Sequence, residues 1–81
     1  MVEEEEPDAS FAAWVRELRR RLGLTQGMLG ARVGVAQGTV SAWERGRVGA
    51  SRAVRHRLAD AAAGVGLGPP PEREGEGDGK A

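Results

Sequence analysis

The chain has 81 residues, twelve Lys or Arg, twelve Asp or Glu and no cysteine, for a formal charge of zero. That length allows one small domain with a modest core, and the lack of thiols excludes disulfides, thiolate metal sites and cysteine nucleophiles. No apolar run approaches a membrane span, and the acidic N-terminus is unlike a secretory leader; a reducing cytoplasm, alongside the nucleoid, is the expected location.

The zero net charge conceals a partition. Residues 1–9 carry Glu3, Glu4, Glu5, Glu6 and Asp8, a charge of −5. Residues 10–66 carry ten arginines against Glu17, Glu44 and Asp60, a charge of +7. Residues 67–81 carry Glu72, Glu74, Glu76 and Asp78 against Arg73 and Lys80, a charge of −2. A basic centre between two acidic tails is the electrostatic footprint of a nucleic-acid binder, and it argues against a merely solvated surface because the whole cationic excess is arginine. The expected organisation is an acidic disordered tail over 1–9, a domain over 10–66 and a Gly/Pro-rich charged disordered tail over 67–81.

Taken in order, Asp8 or Ser10 can cap the first helix, and Ser10 is the better placed. Phe11, Trp14, Val15, Leu18 and Leu22 make a one-sided helical stripe that ends at Gly23. Glu17 with Arg20 or Arg21 can pair across one turn, for a few tenths of a kcal/mol. Thr25 caps a second helix running to Arg32 or Val33, in which Leu29 and Val33 share a face behind Leu24. Gly34 stands where a left-handed residue is required, and Val35 then plugs the angle to the next helix.

A third helix is predicted from Gln37 to Arg45, with Val40 and Trp43 inward and Gln37, Gly38, Ser41, Ala42 and Arg45 outward, ended by Gly46. Ala36 is a poorer cap than Ser or Thr, and Gly38 weakens this helix by up to about 1 kcal/mol relative to alanine. Residues 47–50 form a loop. Ser51 caps a last helix from Arg52 to Ala63, whose stripe is Val54, Leu58, Ala61 or Ala62, and then Val65. Gly64, Gly66, Gly68 and Pro69-Pro70-Pro71 stop it. The shared core is then Phe11, Trp14, Leu18, Leu22, Leu29, Val33, Val40, Trp43, Val54 and Leu58, with both tryptophans structural rather than base-stacking.

Two short helices about a tight turn, Leu24 to Gly46, have the layout of a DNA-binding helix-turn-helix. Gly23-Leu24-Thr25-Gln26, Leu29, Gly34-Val35, Val40-Ser41 and Trp43-Glu44-Arg45-Gly46 resemble the Cro/phage-repressor (XRE-type) helix-turn-helix family. With Leu18-Arg19-Arg20 before and a helix after, the resemblance spans roughly 11–65. It implies a small all-α, repressor-type domain of four or five helices; related domains commonly have the fifth, and none is evident in this sequence. The missing fifth helix puts the family's usual dimerisation surface in question, and the proline that the family usually has near Ala50 is absent, which loosens that loop.

The resemblance implies that the helix from Gln37 enters the major groove of double-stranded DNA. Gln37 leads the base-reading candidates, since glutamine can bond in bidentate fashion to adenine. Gly38, Thr39, Ser41 and Ala42 complete that set; Ala42 offers only a methyl group, and Thr39 a hydroxyl to a base or a phosphate. The phosphate and groove set is Thr25, Gln26, Arg45, Arg47 and Arg52. Glutamine at the Gln26 position typically contacts a phosphate in the family, aided by the helix N-terminus. Arg45 and Arg47 flank the end of the recognition helix, and by resemblance Arg52 approaches a phosphate or a narrow minor groove. Arg19, Arg20 and Arg21 are left between long-range attraction and a plain solvated face. So sparse a reading surface predicts modest discrimination per monomer and steep salt dependence.

The expected function is a sequence-specific transcriptional regulator, a repressor rather than an activator, from a bacterial or phage genome. One domain covers one half-site, so weak homodimerisation through the last helix, or only on DNA, is expected. The acidic N-terminal tail can be a solubiliser, a fold-back competitor of DNA or a docking segment for a protein partner. The competing reading is a protein-interaction module of the same fold: an antitoxin, a co-regulator or an RNA-polymerase-binding adaptor. No enzyme is expected: His56, with Asp60 four residues on and Ser51 nearby, is too thin for a triad or metal site. No cofactor, metal or membrane partner is expected.

Overall fold

The computed structural model describes residues 9–71. Among them the chain forms four α-helices and no strand: α1 (Ala9–Leu22), α2 (Gln26–Val33), α3 (Gln37–Glu44) and α4 (Arg52–Ala63). The fold is all-α, as the apolar periodicities require. Three boundaries differ from expectation. α1 already includes Ala9 and Ser10, so Ser10 lies inside the helix and does not cap it, while Asp8 lies outside the described residues. α3 ends at Glu44, with Arg45 as its C-cap at φ −95°. Gly64 leaves α4 in a right-handed conformation, and the reversal is made at Gly66, φ 73°.

The caps explain where the helices start. Thr25 accepts from the amide of Met28, and Ser51 accepts from the amide of Val54. Ala36 offers α3 no side-chain cap.

The core is Phe11, Val15, Leu18, Leu29, Val33, Val40, Trp43, Leu58 and Ala62, all buried. Fully burying the valine, leucine and phenylalanine side chains among them stabilises by about 1.5–3 kcal/mol each. Trp14, Leu22 and Val54, expected in the core, are only partly buried at its edge, beside Leu24 and Val35. Val15, Ala61 and Ala62 take their place inside. Phe11 ties the aromatic cluster together, stacked on Trp14 at 6.1 Å and edge-on to Trp43 at 5.8 Å between ring centroids.

The expected tail from residue 67 begins instead as a strap packed on the domain. Leu67 joins the partly buried edge of the core. The indole of Trp14 donates to the Gly68 carbonyl at 3.0 Å, and Arg21 donates to the carbonyls of Val65 and Gly66 at 3.2 Å. Arg55, 5.3 Å above the Phe11 ring, donates to the Pro71 carbonyl. Apolar residues on either side of Gly66 supply the anchor that the Gly/Pro composition hides. The remainder of the expected tail, and residues 1–8, lie outside the described residues.

Candidate nucleic-acid interface

The site is built on the corner between α2 and α3. Gly34 closes α2 at φ 85°, a conformation that suits glycine. The Gly30 carbonyl accepts from the amides of Gly34 and Val35, which turns the chain sharply into α3. Gly30 is buried against that turn: a Cβ there would lie 2.5 Å from the Val35 carbonyl oxygen. At the open end of the corner, a Cβ on Gly27 would stand 4.0 Å from the Cβ of Gln37. The first turn of α2 therefore lies against the start of α3 at Gly27 and Gln37, while the Gln26 side chain reaches Glu44 at the end of α3.

The base-reading candidates form a graded surface along α3. Gln37 and Gly38 are exposed, and Thr39, Ser41 and Ala42 are half-buried. Nothing lies within 4 Å of where a Gly38 Cβ would be, so this position is open. Val40 and Trp43 turn inward, fully buried. One polar atom of that inner face, the Trp43 Nε1, meets no hydrogen-bond partner among the described residues.

The backbone-contact candidates divide. Thr25 is exposed, with its hydroxyl oxygen occupied as the α2 cap. Gln26 is half-buried and donates from Nε2 to Glu44 Oε1 at 3.1 Å. Arg45 and Arg47 are exposed just past α3, where the Arg47 amide folds back to the Ala42 carbonyl at 2.9 Å. Arg52 is exposed as the first residue of α4; among the described residues no hydrogen bond or ion pair joins it to α3.

Glu44 is the charged residue buried in the described structure, 9% exposed. Its carboxylate receives Arg19 through Nε at 2.6 Å and Nη2 at 3.1 Å, with Gln26 on the same side. Arg19 also donates to the Leu24 carbonyl at 3.2 Å, and Arg16 donates to the Glu44 backbone carbonyl at 2.5 Å. Burial pushes the Glu44 carboxyl up, but the hydrogen bonds from Arg19 and Gln26 and the positive charges of Arg19 and Arg16 outweigh it and hold the group below its ordinary value. The hydrogen bond to Glu44 raises Arg19 in turn. One carboxylate thus joins α1, the start of α2 and the end of α3.

This network sorts the arginines. Arg16 and Arg19 serve Glu44; Arg20 and Arg21 both pair with Glu17, at 2.6 and 2.8 Å; Arg55 holds Pro71, and Arg57 donates to the Val33 carbonyl at 3.1 Å. Arg19 is therefore tied to the part-buried Glu44, whereas Arg20 and Arg21 pair with Glu17 on the exposed face of α1. Among the described residues, the side chains of Arg32, Arg45, Arg47 and Arg52 make no hydrogen bond or ion pair, and three of these four were singled out from the sequence.

Sequence reasoning missed Glu44, Arg19 and Gly30. Glu44 was traceable, since Val40, Trp43 and Glu44 fall on one helical stripe and a carboxylate facing a core requires a cation. Gly30 left no such signal.

A family model described as a helix-turn-helix domain matches residues 10–74. The chain is 49% identical over 47 residues to an uncharacterized HTH-type transcriptional regulator from Methanothermobacter thermautotrophicus, a match covering 58% of this chain and 68% of that protein. No solved structure gives a significant match.

Proposed function

The chain belongs to the helix-turn-helix domain family, and on that premise we propose that it binds double-stranded DNA as a transcriptional regulator, a repressor rather than an activator. The observation that carries this reading is the division of the arginines. Six of the ten in the basic domain are spent on protein acceptors, while Arg45, Arg47 and Arg52, next to α3 in sequence, pair with nothing among the described residues. Exposed arginines of this kind are what phosphate contacts need, and each neutralised phosphate releases counterions. The name of the relative from Methanothermobacter thermautotrophicus supports the same reading.

In this reading α3 lies in the major groove. Gln37, Gly38, Thr39, Ser41 and Ala42 face bases, and Thr25, Gln26, Arg45, Arg47 and Arg52 hold the backbone. The protein acts as a weak homodimer on paired half-sites about one helical turn apart. Selection from a random-duplex pool at two salt concentrations tests this. A two-fold-symmetric enriched motif is expected. Absence of binding at low salt would overturn the DNA reading in favour of a protein-interaction module.

A further inference from the structure

Glu44 cannot touch DNA as a contact residue: it is buried, and its charge repels phosphate. Yet its carboxylate grips Gln26, one of the two neutral side chains proposed to hold the backbone. Gln26 opens α2, and Glu44 closes α3. The 3.1 Å hydrogen bond from Gln26 Nε2 to Glu44 Oε1 spans the motif between them. The carboxylate is itself immobilised by two bonds from Arg19, whose Nη1 also holds the Leu24 carbonyl in the connector before α2.

We propose that Glu44 is a positioning residue for DNA binding, acting through Gln26. A primary amide carries two N–H donors. Glu44 takes one, which leaves Gln26 a single fixed orientation with its second N–H for a phosphate oxygen. Without the carboxylate, the side chain must lose rotamer freedom at the moment of binding, which weakens association. The role rests on the DNA-binding reading above, and it predicts the opposite sign from simple electrostatics. Removing a negative charge beside DNA should strengthen binding, whereas removing a positioning group should weaken it.

The experiment uses the full chain and a mixed-sequence duplex, because phosphate contacts do not depend on sequence. Affinity and its salt slope are measured for the unmodified chain, Q26A, E44Q and the double variant. Gln26 carries no charge, so Q26A is expected to lower affinity about tenfold, as for a hydrogen bond to a charged group, with the salt slope unchanged. E44Q is expected to cost about as much, and the double variant no more than Q26A alone. Thermal melting separates any stability loss, which E44Q keeps in both backgrounds. Tighter or unchanged binding by E44Q, or losses that multiply in the double variant, would overturn the role of Glu44 while leaving the DNA reading intact. No binding by the unmodified chain at low salt would overturn both. If E44Q does not fold, the Gln26 side-chain amide protons of the unmodified chain decide. A shift of one proton on adding duplex, with the other unmoved, supports the assignment; two equivalent, unshifted protons refute it.

Discussion

Gly30 packs its α-carbon against the carbonyl of Val35, so closely that a Cβ would sit 2.5 Å from that oxygen and 3.3 Å from the carbonyl of Ala36. Helix propensity alone favours alanine over glycine by about 1 kcal/mol. Here the space decides against it, because the obstructing atoms are backbone. Gly30→Ala is expected to destabilise the fold by about 1–3 kcal/mol, as overpacking does, and to open the angle between α2 and α3. A melting temperature equal to or above that of the unmodified chain would show that the turn can yield.

Gly38 gives the opposite expectation. It lies in a helix, and nothing comes within 4 Å of its missing Cβ. Gly38→Ala should raise stability by about 0.5–1 kcal/mol through backbone entropy. Chemical denaturation measures this, and an unchanged or lowered midpoint would contradict it. The pair of substitutions separates a glycine kept for space from one the fold does not need.

The four helices and the α2–α3 turn were legible because apolar stripes, glycine stops and the Thr25 and Ser51 caps act within a turn or two of chain. What stayed hidden was set by distance. Arg19, Arg20 and Arg21 are adjacent in sequence, yet Arg19 reaches Glu44 on another helix while Arg20 and Arg21 serve Glu17 on their own. Local spacing reveals the second kind of pair and not the first. Gly30 reads as a weak spot in a helix until the turn it accommodates is present. The strap was obscured because glycine and proline signal a linker, although Leu67 has a core edge to cover.

The strap depends on the Trp14 indole. Trp14→Phe keeps an aromatic ring beside Phe11 but removes the donor to Gly68. A loss of about 0.5–1.5 kcal/mol is expected, with faster amide exchange confined to residues 65–68. Uniform acceleration over the whole domain would mean that the strap is inseparable from the core.

Acid should weaken the fold through its two paired carboxylates. The hydrogen bonds from Arg20 and Arg21 lower Glu17 from 4.5 to about 2. A depressed carboxyl contributes stability that is complete above its unfolded value and is lost as pH falls through its folded value. Stability should thus decline from about pH 4.5 towards pH 2, with Glu44 contributing in the same direction. Glu17→Gln should flatten the decline, seen in denaturation midpoints at neutral and acid pH. An equally steep decline in that variant would remove Glu17 from the account.

Arg45, Arg47 and Arg52, three of the four arginines that pair with nothing among the described residues, are proposed to be the ones that meet DNA. The direct measurement is the salt dependence of duplex binding for R45A/R47A/R52A beside R20A, whose guanidinium pairs with Glu17 on the exposed face of α1. Each lost arginine–phosphate contact should reduce the slope of log affinity against log salt by about 0.9, so the triple variant is expected to lose up to about three units of slope, and R20A close to none. Equal slopes for the triple variant and the unmodified chain would contradict the claim and place the DNA surface, if there is one, elsewhere on the domain.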